Sequence, residues 1–133
     1  MPGLICAGLN RRYVSAVETV TALDDVSLTI SPSSFVALRG RSGSGKSTLL
    51  NVIAGLDKPN SGSVQINGTQ VSEMSEGART AFRLQNVGVV FQDNNLIPEF
   101  TLRENVELPL RVMGWAAVKA RDAATEAMRA LEI

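Results

Sequence analysis

The chain has 133 residues, and its 13 Lys plus Arg are balanced by 13 Asp plus Glu, so its formal net charge is zero. This balance excludes strong electrostatic attraction to nucleic acid or anionic lipid as the organising feature, and no nucleic-acid partner is expected. A single Cys excludes an intrachain disulfide, and the absence of His excludes the usual zinc sites and every triad with an imidazole base. The 44% apolar and 5% aromatic content favours an α/β core of aliphatic side chains.

The N-terminal sequence predicts an antiparallel sheet. Apolar and polar residues alternate over residues 26–30, which is typical of a half-buried strand, and residues 4–7 form a short candidate partner.

The first residues lack a basic region and a long apolar stretch, and no run approaches the roughly 18 apolar residues of a membrane span. The sequence therefore predicts a cytoplasmic location.

Two continuous apolar runs, Phe35–Leu38 and Val87–Phe91, predict strands that are covered on both faces. Between them, residues 46–54 predict a helix that Gly55 closes. A hairpin follows, because the pair at residues 67 and 68, Asn-Gly, suits a type I′ turn.

The remaining sequence predicts helices. Ser75 is a candidate cap for a helix over residues 76–85, and Thr101 with Glu104 matches a capping box at the start of a helical region. Pro109 is expected to end or kink this second helix.

The C-terminal residues 115–131 predict an amphipathic helix that seeks a partner surface. Its apolar residues recur on one stripe: Ala120, Ala124, Ala127, Met128 and Leu131.

One segment fits the complete phosphate-binding pattern G-x-x-x-x-G-K-[ST] and lies between a predicted strand and a predicted helix. Glycines let such a loop turn its backbone N–H groups toward a phosphate, and the helix N-terminus adds its positive dipole end. Lys46 would reach the β and γ phosphates, and the Ser47 hydroxyl would ligate Mg²⁺. The alternative is a glycine-rich turn without a ligand. The candidate nucleotide-binding residues are Gly40, Arg41, Ser42, Gly43, Ser44, Gly45, Lys46, Ser47 and Thr48.

This loop and several other segments resemble the ATP-binding subunits of ABC transporters. The matching segments are residues 42–51, residues 55–59 followed by Ser61-Gly62, residues 89–92 followed by residues 95–98, and residues 104–110. The last segment, residues 104–110, is similar to the branch of the family that serves lipoprotein release and macrolide export.

The resemblance implies a P-loop NTPase fold of the α/β class, with a RecA-like core and an N-terminal antiparallel β-subdomain, that is C-terminally incomplete. Residues 1–133 would form a partial ATP-binding domain, with the P-loop at residues 40–47, a glutamine loop near residue 92 and a helical subdomain from about residue 101. The implied cofactors are ATP and Mg²⁺.

The resemblance also assigns roles to two residues outside the loop. Tyr13 would stack on adenine, and the alternative is an ordinary surface aromatic residue. Gln92 would ligate Mg²⁺ or orient water, and the alternative is that it caps a strand. Asp93 offers a competing interpretation as an acidic residue near Mg²⁺, but the residues after Gln92 match the glutamine loop better.

Several motifs of the family are absent from these residues. There is no Leu-Ser-Gly-Gly-Gln signature, no further apolar strand that ends in Asp-Glu, and no switch His. The resemblance therefore implies ATP binding, whereas hydrolysis by this chain alone is not expected, and no catalytic residue is assigned.

Three interpretations follow from these residues. The chain is the nucleotide-binding part of an ABC exporter, a non-catalytic truncated fragment of one, or a different P-loop phosphotransferase. The first implies a membrane permease subunit and a second ATP-binding domain as partners, and a location at the inner face of the membrane.

Overall fold

The structure is a computed structural model that describes residues 2–93 and 95–133. The chain forms two compact units, one that ends at Val87 and one that begins at Gly88. Within the described part of the chain, no helix is both long enough and apolar enough to cross a membrane. In chain order the elements are β1 (Leu4–Val14), β2 (Thr19–Ile30), α1 (Lys46–Ile53), β3 (Ser61–Ile66), β4 (Thr69–Gln70), α2 (Glu76–Asn86), α3 (Leu102–Val112) and α4 (Ala117–Ala130).

The first unit contains an antiparallel sheet with the strand order β2-β1-β3-β4. Leu4 of β1 pairs with Ile30 of β2 on one side and with Ile66 of β3 on the other, so β1 is central. This confirms the predicted N-terminal antiparallel sheet. Both of its first strands are longer than the alternating pattern indicated.

The hairpin between β3 and β4 turns at Asn67 and Gly68, as predicted. Their φ angles are 47° and 81°, and both central residues of a type I′ turn need such positive values. The turn pairs Ile66 with Thr69 across the hairpin.

Helix α1 covers one face of this sheet. Its buried residues Leu49 and Val52 form a core cluster with four residues of the strands: Cys6, Leu9, Leu23 and Val64. Burying a Leu or Val side chain of this kind contributes about 1.5–3 kcal/mol. Burial also raises the pKa of the Cys6 thiol to about 11, so it stays protonated at neutral pH and packs as a small apolar group.

The predicted helix boundaries of α1 and α2 are confirmed. Gly55, with a φ of 70°, follows the end of α1 and donates its N–H to the Val52 carbonyl. Helix α2 begins after Ser75, whose hydroxyl accepts a hydrogen bond from the Ala78 N–H at 3.3 Å.

In the second unit, the predicted capping box starts α3. The Glu104 carboxylate accepts a hydrogen bond from the Thr101 N–H at 2.7 Å, and the Thr101 hydroxyl accepts one from the Glu104 N–H at 3.3 Å. Helix α4 packs against α3 and buries Ala120 and Ala124 completely. Small side chains at these two positions let the helix backbones approach closely.

Pro109 was expected to end or kink α3, and the first alternative is wrong. The helix continues to Val112, and the Pro109 carbonyl still accepts a hydrogen bond from the Met113 N–H. The predicted apolar stripe of α4 is buried at Ala120 and Ala124 only. Ala127 and Leu131 are exposed and Met128 is half-buried, because the contact with α3 covers only the N-terminal part of the stripe.

The predicted buried strands Phe35–Leu38 and Val87–Phe91 are also wrong. Neither segment pairs with a strand among the described residues, and all their residues except the half-buried Val87 are exposed. Phe35 is 99% and Val90 is 100% exposed. A continuous apolar run shows that side chains need cover, whereas a strand also needs a neighbouring strand that supplies hydrogen bonds.

Gly62→Ala should destabilise the first unit by about 1–3 kcal/mol, because a residue with a side chain is strained at its φ of 89° and its Cβ would overlap the Gly8 backbone. Gly77→Ala in α2 is the matched control, since its Cβ meets open space and Ala favours a helix by about 0.5–1 kcal/mol. Urea unfolding measures the free energy of unfolding of both variants. If the two variants have equal free energies of unfolding, the packing of β3 on β1 is contradicted.

Phe35→Ser should lower the binding of an apolar dye and reduce self-association, because the parent chain exposes this ring fully in an unpaired segment. Dye fluorescence and concentration-dependent light scattering measure the effect. Val118→Ser is the control, since Val118 is also a largely exposed apolar residue, at 71%, but lies on α4. An equal effect of both substitutions would refute a special role of the extended segment.

Candidate functional site

The candidate phosphate-binding loop leads directly into α1. Gly43 and Gly45 have φ angles of 79° and 86°, a region that glycine adopts freely. A Cβ atom on Gly45 would overlap the carbonyl oxygen of Ala22 in β2, whereas one on Gly43 would meet nothing within 4 Å. Gly45 therefore seats the loop against the sheet, and Gly43 leaves the outer side of the loop open.

The N-terminus of α1 is suited to an anion. Its N-cap residue Gly45 provides no side-chain hydrogen bond, and the first turn carries no acidic residue. The first N–H groups of a helix lack partners within the helix, and the helix dipole places positive charge there. A phosphate oxygen at this end would satisfy both requirements.

The Lys46 ammonium group lies inside the curve of the loop. Its Nζ donates hydrogen bonds to the carbonyl oxygens of Gly40 and Arg41 at 2.8 and 2.6 Å, and to the Ser44 hydroxyl at 3.3 Å. No carboxylate pairs with it among the described residues. The loop therefore holds an ammonium charge that is not neutralised locally.

The surrounding sequence keeps this region positive. Between Asp25 and Asp57 there is no acidic residue, and the cations Arg39, Arg41 and Lys46 all lie in this interval. This interval therefore carries three positive charges and no negative one, and the rest of the neutral chain compensates them.

The other predicted loop residues are accessible to a ligand. Arg41, Ser42, Gly43 and Ser47 are exposed, whereas Thr48 is half-buried at the start of α1. The hydroxyl oxygen of Ser47 is a hard donor atom of the kind that Mg²⁺ prefers, so the residues present fit this metal.

Tyr13 lies in a small polar cluster with Arg11 and Asp57, which we call the Asp57 cluster. The Tyr13 hydroxyl donates a hydrogen bond to Asp57 Oδ2 at 2.8 Å, and Arg11 Nε donates one to the same oxygen at 2.8 Å. The Arg11 guanidinium lies 4.5 Å from the centroid of the Tyr13 ring. Tyr13 keeps 40% of its surface exposed.

The cluster holds Asp57 as a carboxylate. Partial burial acts to raise its pKa, but hydrogen bonds from Tyr13, from the Lys58 N–H and from Arg11 outweigh this effect and lower the pKa. The pKa of Arg11 is raised because the contacts with Tyr13 and Asp57 outweigh its own desolvation. Both charges therefore persist at neutral pH.

The strand register connects this cluster to the loop. Arg11 pairs with Leu23 of β2, and Tyr13 pairs with Val20. Val20 is two residues from Ala22, the residue that contacts Gly45, which corresponds to about 7 Å along a strand. Leu23 belongs to the core cluster beneath α1, so the Arg11 side chain that pairs with it lies on the same face of the sheet as α1.

Sequence reasoning missed Arg11 and Asp57. Asp57 lies in a segment that matched the family pattern, but nothing local assigned it a function. Its two partners are 44 and 46 residues away, so no spacing rule could bring them together.

Gln92 belongs to the second unit, where it is exposed, as is its neighbour Asp93. Its contribution to a metal site stays a prediction.

Known proteins are similar to this chain in sequence. The chain is 43% identical over 120 residues to the lipoprotein-releasing system ATP-binding protein LolD of Hahella chejuensis, with 90% of the chain and 52% of the relative covered. It is 41% identical over 130 residues to the macrolide export ATP-binding/permease protein MacB of Rhodopseudomonas palustris, with 98% of the chain and 20% of the relative covered.

A solved structure agrees with these relatives. The dimeric post-hydrolysis state of the ATP-binding cassette MJ0796, bound to ADP and Pi, superposes with a TM-score of 0.87 at 37% identity. The alignment covers 98% of the chain and 57% of the cassette. The α/β P-loop NTPase fold is therefore confirmed, and the chain spans about half the length of LolD and of this cassette.

The model of the ABC transporter family matches residues 23–133, which include the loop, α1 and both helices of the second unit. The predicted resemblance is confirmed, and the chain belongs to the ABC transporter family.

Proposed function

We propose that the chain binds Mg-ATP as the nucleotide-binding part of an ABC-type exporter. The observation that carries this proposal is the Lys46 ammonium group, which loop carbonyls hold at the N-terminus of α1 with no acidic partner among the described residues. Relatives described as ATP-binding proteins support the choice of ATP. Membership of the ABC transporter family favours this function over a phosphotransferase of another class.

The loop residues would bind the triphosphate by charge and by backbone hydrogen bonds. Nζ of Lys46 would exchange acceptors on the loop for phosphate oxygens, and the N–H groups at the start of α1 would donate to the same anion. The side chains of Arg41, Ser42 and Ser44 and the open side of Gly43 would border the ligand.

The Tyr13 ring would stack on the adenine base. It is partly exposed, and its hydroxyl is hydrogen-bonded to Asp57 in the segment that follows α1. A base on an aromatic ring contributes about 1–3 kcal/mol and needs no specific hydrogen bond.

Ser47 and Gln92 are the proposed ligands of Mg²⁺. A bound Mg²⁺ would supply positive charge that stabilises the phosphates. The Ser47 hydroxyl would orient toward that charge from the first turn of α1. The Gln92 amide oxygen is proposed as a ligand on the resemblance of residues 89–92 and 95–98 to the glutamine loop of the family.

We propose that these residues alone bind ATP without hydrolysing it by the mechanism of the family. The sequence contains no His and no Leu-Ser-Gly-Gly-Gln segment, and the chain spans about half the length of LolD and of the MJ0796 cassette. Positioning of the phosphates would remain, whereas the general base would have to come from other residues.

The proposed partners are a membrane permease and a second ATP-binding domain. A relative that combines ATP-binding and permease functions supports the first, and the dimeric cassette bound to ADP and Pi supports the second. Docking on a permease would place the chain at the inner face of the membrane.

Lys46→Ala should abolish the stabilisation by Mg-ATP, because it removes the ammonium group from the phosphate site. For the parent chain, ATP at about 100 times its Kd should add about 2.7 kcal/mol to the free energy of unfolding. A thermal melt with and without Mg-ATP measures this. Lys119→Ala is the matched control, since Lys119 carries the same charge and lies over the Trp115 ring in the second unit. Equal stabilisation of the parent and Lys46→Ala would refute the phosphate site.

Ser47→Ala should weaken ATP binding about tenfold in the presence of Mg²⁺, because the loss of one charge-assisted contact is worth about 1.5 kcal/mol. After chelation of the metal, the variant and the parent should bind ATP equally. Calorimetric titration under both conditions measures this difference. The same loss of affinity with and without metal would show that Ser47 does not ligate Mg²⁺.

A further inference from the structure

The Asp57 cluster (Arg11, Tyr13 and Asp57) is a set of contacts that the phosphate site itself does not require. Asp57 follows α1 in the chain, whereas the other two residues lie on β1. One oxygen, Asp57 Oδ2, accepts both the Tyr13 hydroxyl and Arg11 Nε at 2.8 Å. The other oxygen accepts the Lys58 N–H at 2.7 Å.

These contacts fix the aromatic ring at two points. The hydrogen bond to Asp57 holds the outer end of the phenol, and the Arg11 guanidinium covers one face of the ring. Without these contacts, the tyrosine side chain would rotate about its side-chain bonds. The ligand would then have to fix the ring on binding, and the lost side-chain entropy would weaken the affinity. The remaining exposed surface is therefore presented in one orientation.

We propose that Asp57 and Arg11 are positioning residues that hold Tyr13 in the orientation that receives the nucleotide base. This inference rests on the proposed function, because it assumes that Tyr13 stacks on adenine. It adds that the affinity for the base, but not for the triphosphate, depends on a carboxylate that follows α1.

The triphosphate and the base of the ligand would be bound by different residues. Phosphate binding depends on the loop and on Lys46, whose hydrogen bonds do not involve the Asp57 cluster. Base binding depends on Tyr13 and on the contacts that hold it. A ligand with a triphosphate but no base, inorganic tripolyphosphate, therefore separates the two parts.

The test measures the Kd of the 133-residue chain for Mg-ATP and for Mg-tripolyphosphate by calorimetry. Asp57→Ala should weaken ATP binding about five- to tenfold, within the range that a base stack is worth, and should leave tripolyphosphate binding unchanged. Glu73→Ala is the matched control, because it removes the same charge from an exposed turn. This control should change neither Kd.

A double-mutant cycle distinguishes positioning from a general structural effect. In a Tyr13→Ala background, Asp57→Ala should have no further effect on ATP binding, because there is no ring to hold. Tyr13→Phe keeps the ring but loses the hydrogen bond to Asp57, so it should weaken ATP binding less than Tyr13→Ala does. Arg11→Ala should behave like Asp57→Ala.

Two results would overturn the inference while leaving the phosphate site intact. One is that Asp57→Ala weakens ATP and tripolyphosphate binding equally, which indicates a structural role. The other is that it weakens ATP binding equally in the parent and in Tyr13→Ala. If the parent binds ATP no more tightly than Tyr13→Ala does, base stacking is wrong and the inference falls with it. If the parent binds neither ligand, the proposed function itself is wrong.

Discussion

The close approach of Gly45 to β2 is the constraint on which the first unit depends. Because residue 45 has no Cβ, the Ala22 carbonyl can lie against its backbone, and its φ of 86° lets the loop turn into α1 at this point. The same approach brings Leu49 and Val52 over the core of the sheet. Folding and the proposed ligand binding therefore share one glycine, which seats the helix on the sheet and also directs the N-terminus of the helix toward the loop.

Charge is distributed in accordance with this geometry. The loop carbonyls of Gly40 and Arg41 hold the Lys46 ammonium group, and no carboxylate occurs in the sequence between Asp25 and Asp57. Carbonyl dipoles are weaker partners for a cation than an ionised carboxylate, so a phosphate can replace them. An acidic residue in the same place would neutralise the site. The neutral net charge of the chain therefore conceals a local concentration of positive charge.

A second set of polar contacts connects the end of α1 to the far end of β1. Asp57 binds Arg11 and Tyr13 at the same carboxylate oxygen, and their hydrogen bonds lower its pKa despite partial burial. These contacts connect the loop that follows α1 to β1, and we infer that they hold the exposed Tyr13 ring for the proposed nucleotide site. Ion pairs at partly exposed positions contribute little stability. The cluster is therefore better explained by the orientation that it gives to Tyr13.

The sequence by itself determined the local features. The loop from Gly40 to Thr48, the Asn67-Gly68 turn and the Thr101–Glu104 capping box follow from residue types at fixed short spacings, so each is readable without a structure. The tertiary structure decided what depends on partners that are distant in sequence. Phe35–Leu38 has the apolar pattern of a buried strand, but no described strand pairs with it. Asp57 meets Tyr13 only because α1 folds back over β1, and spacing rules do not reach across 44 residues.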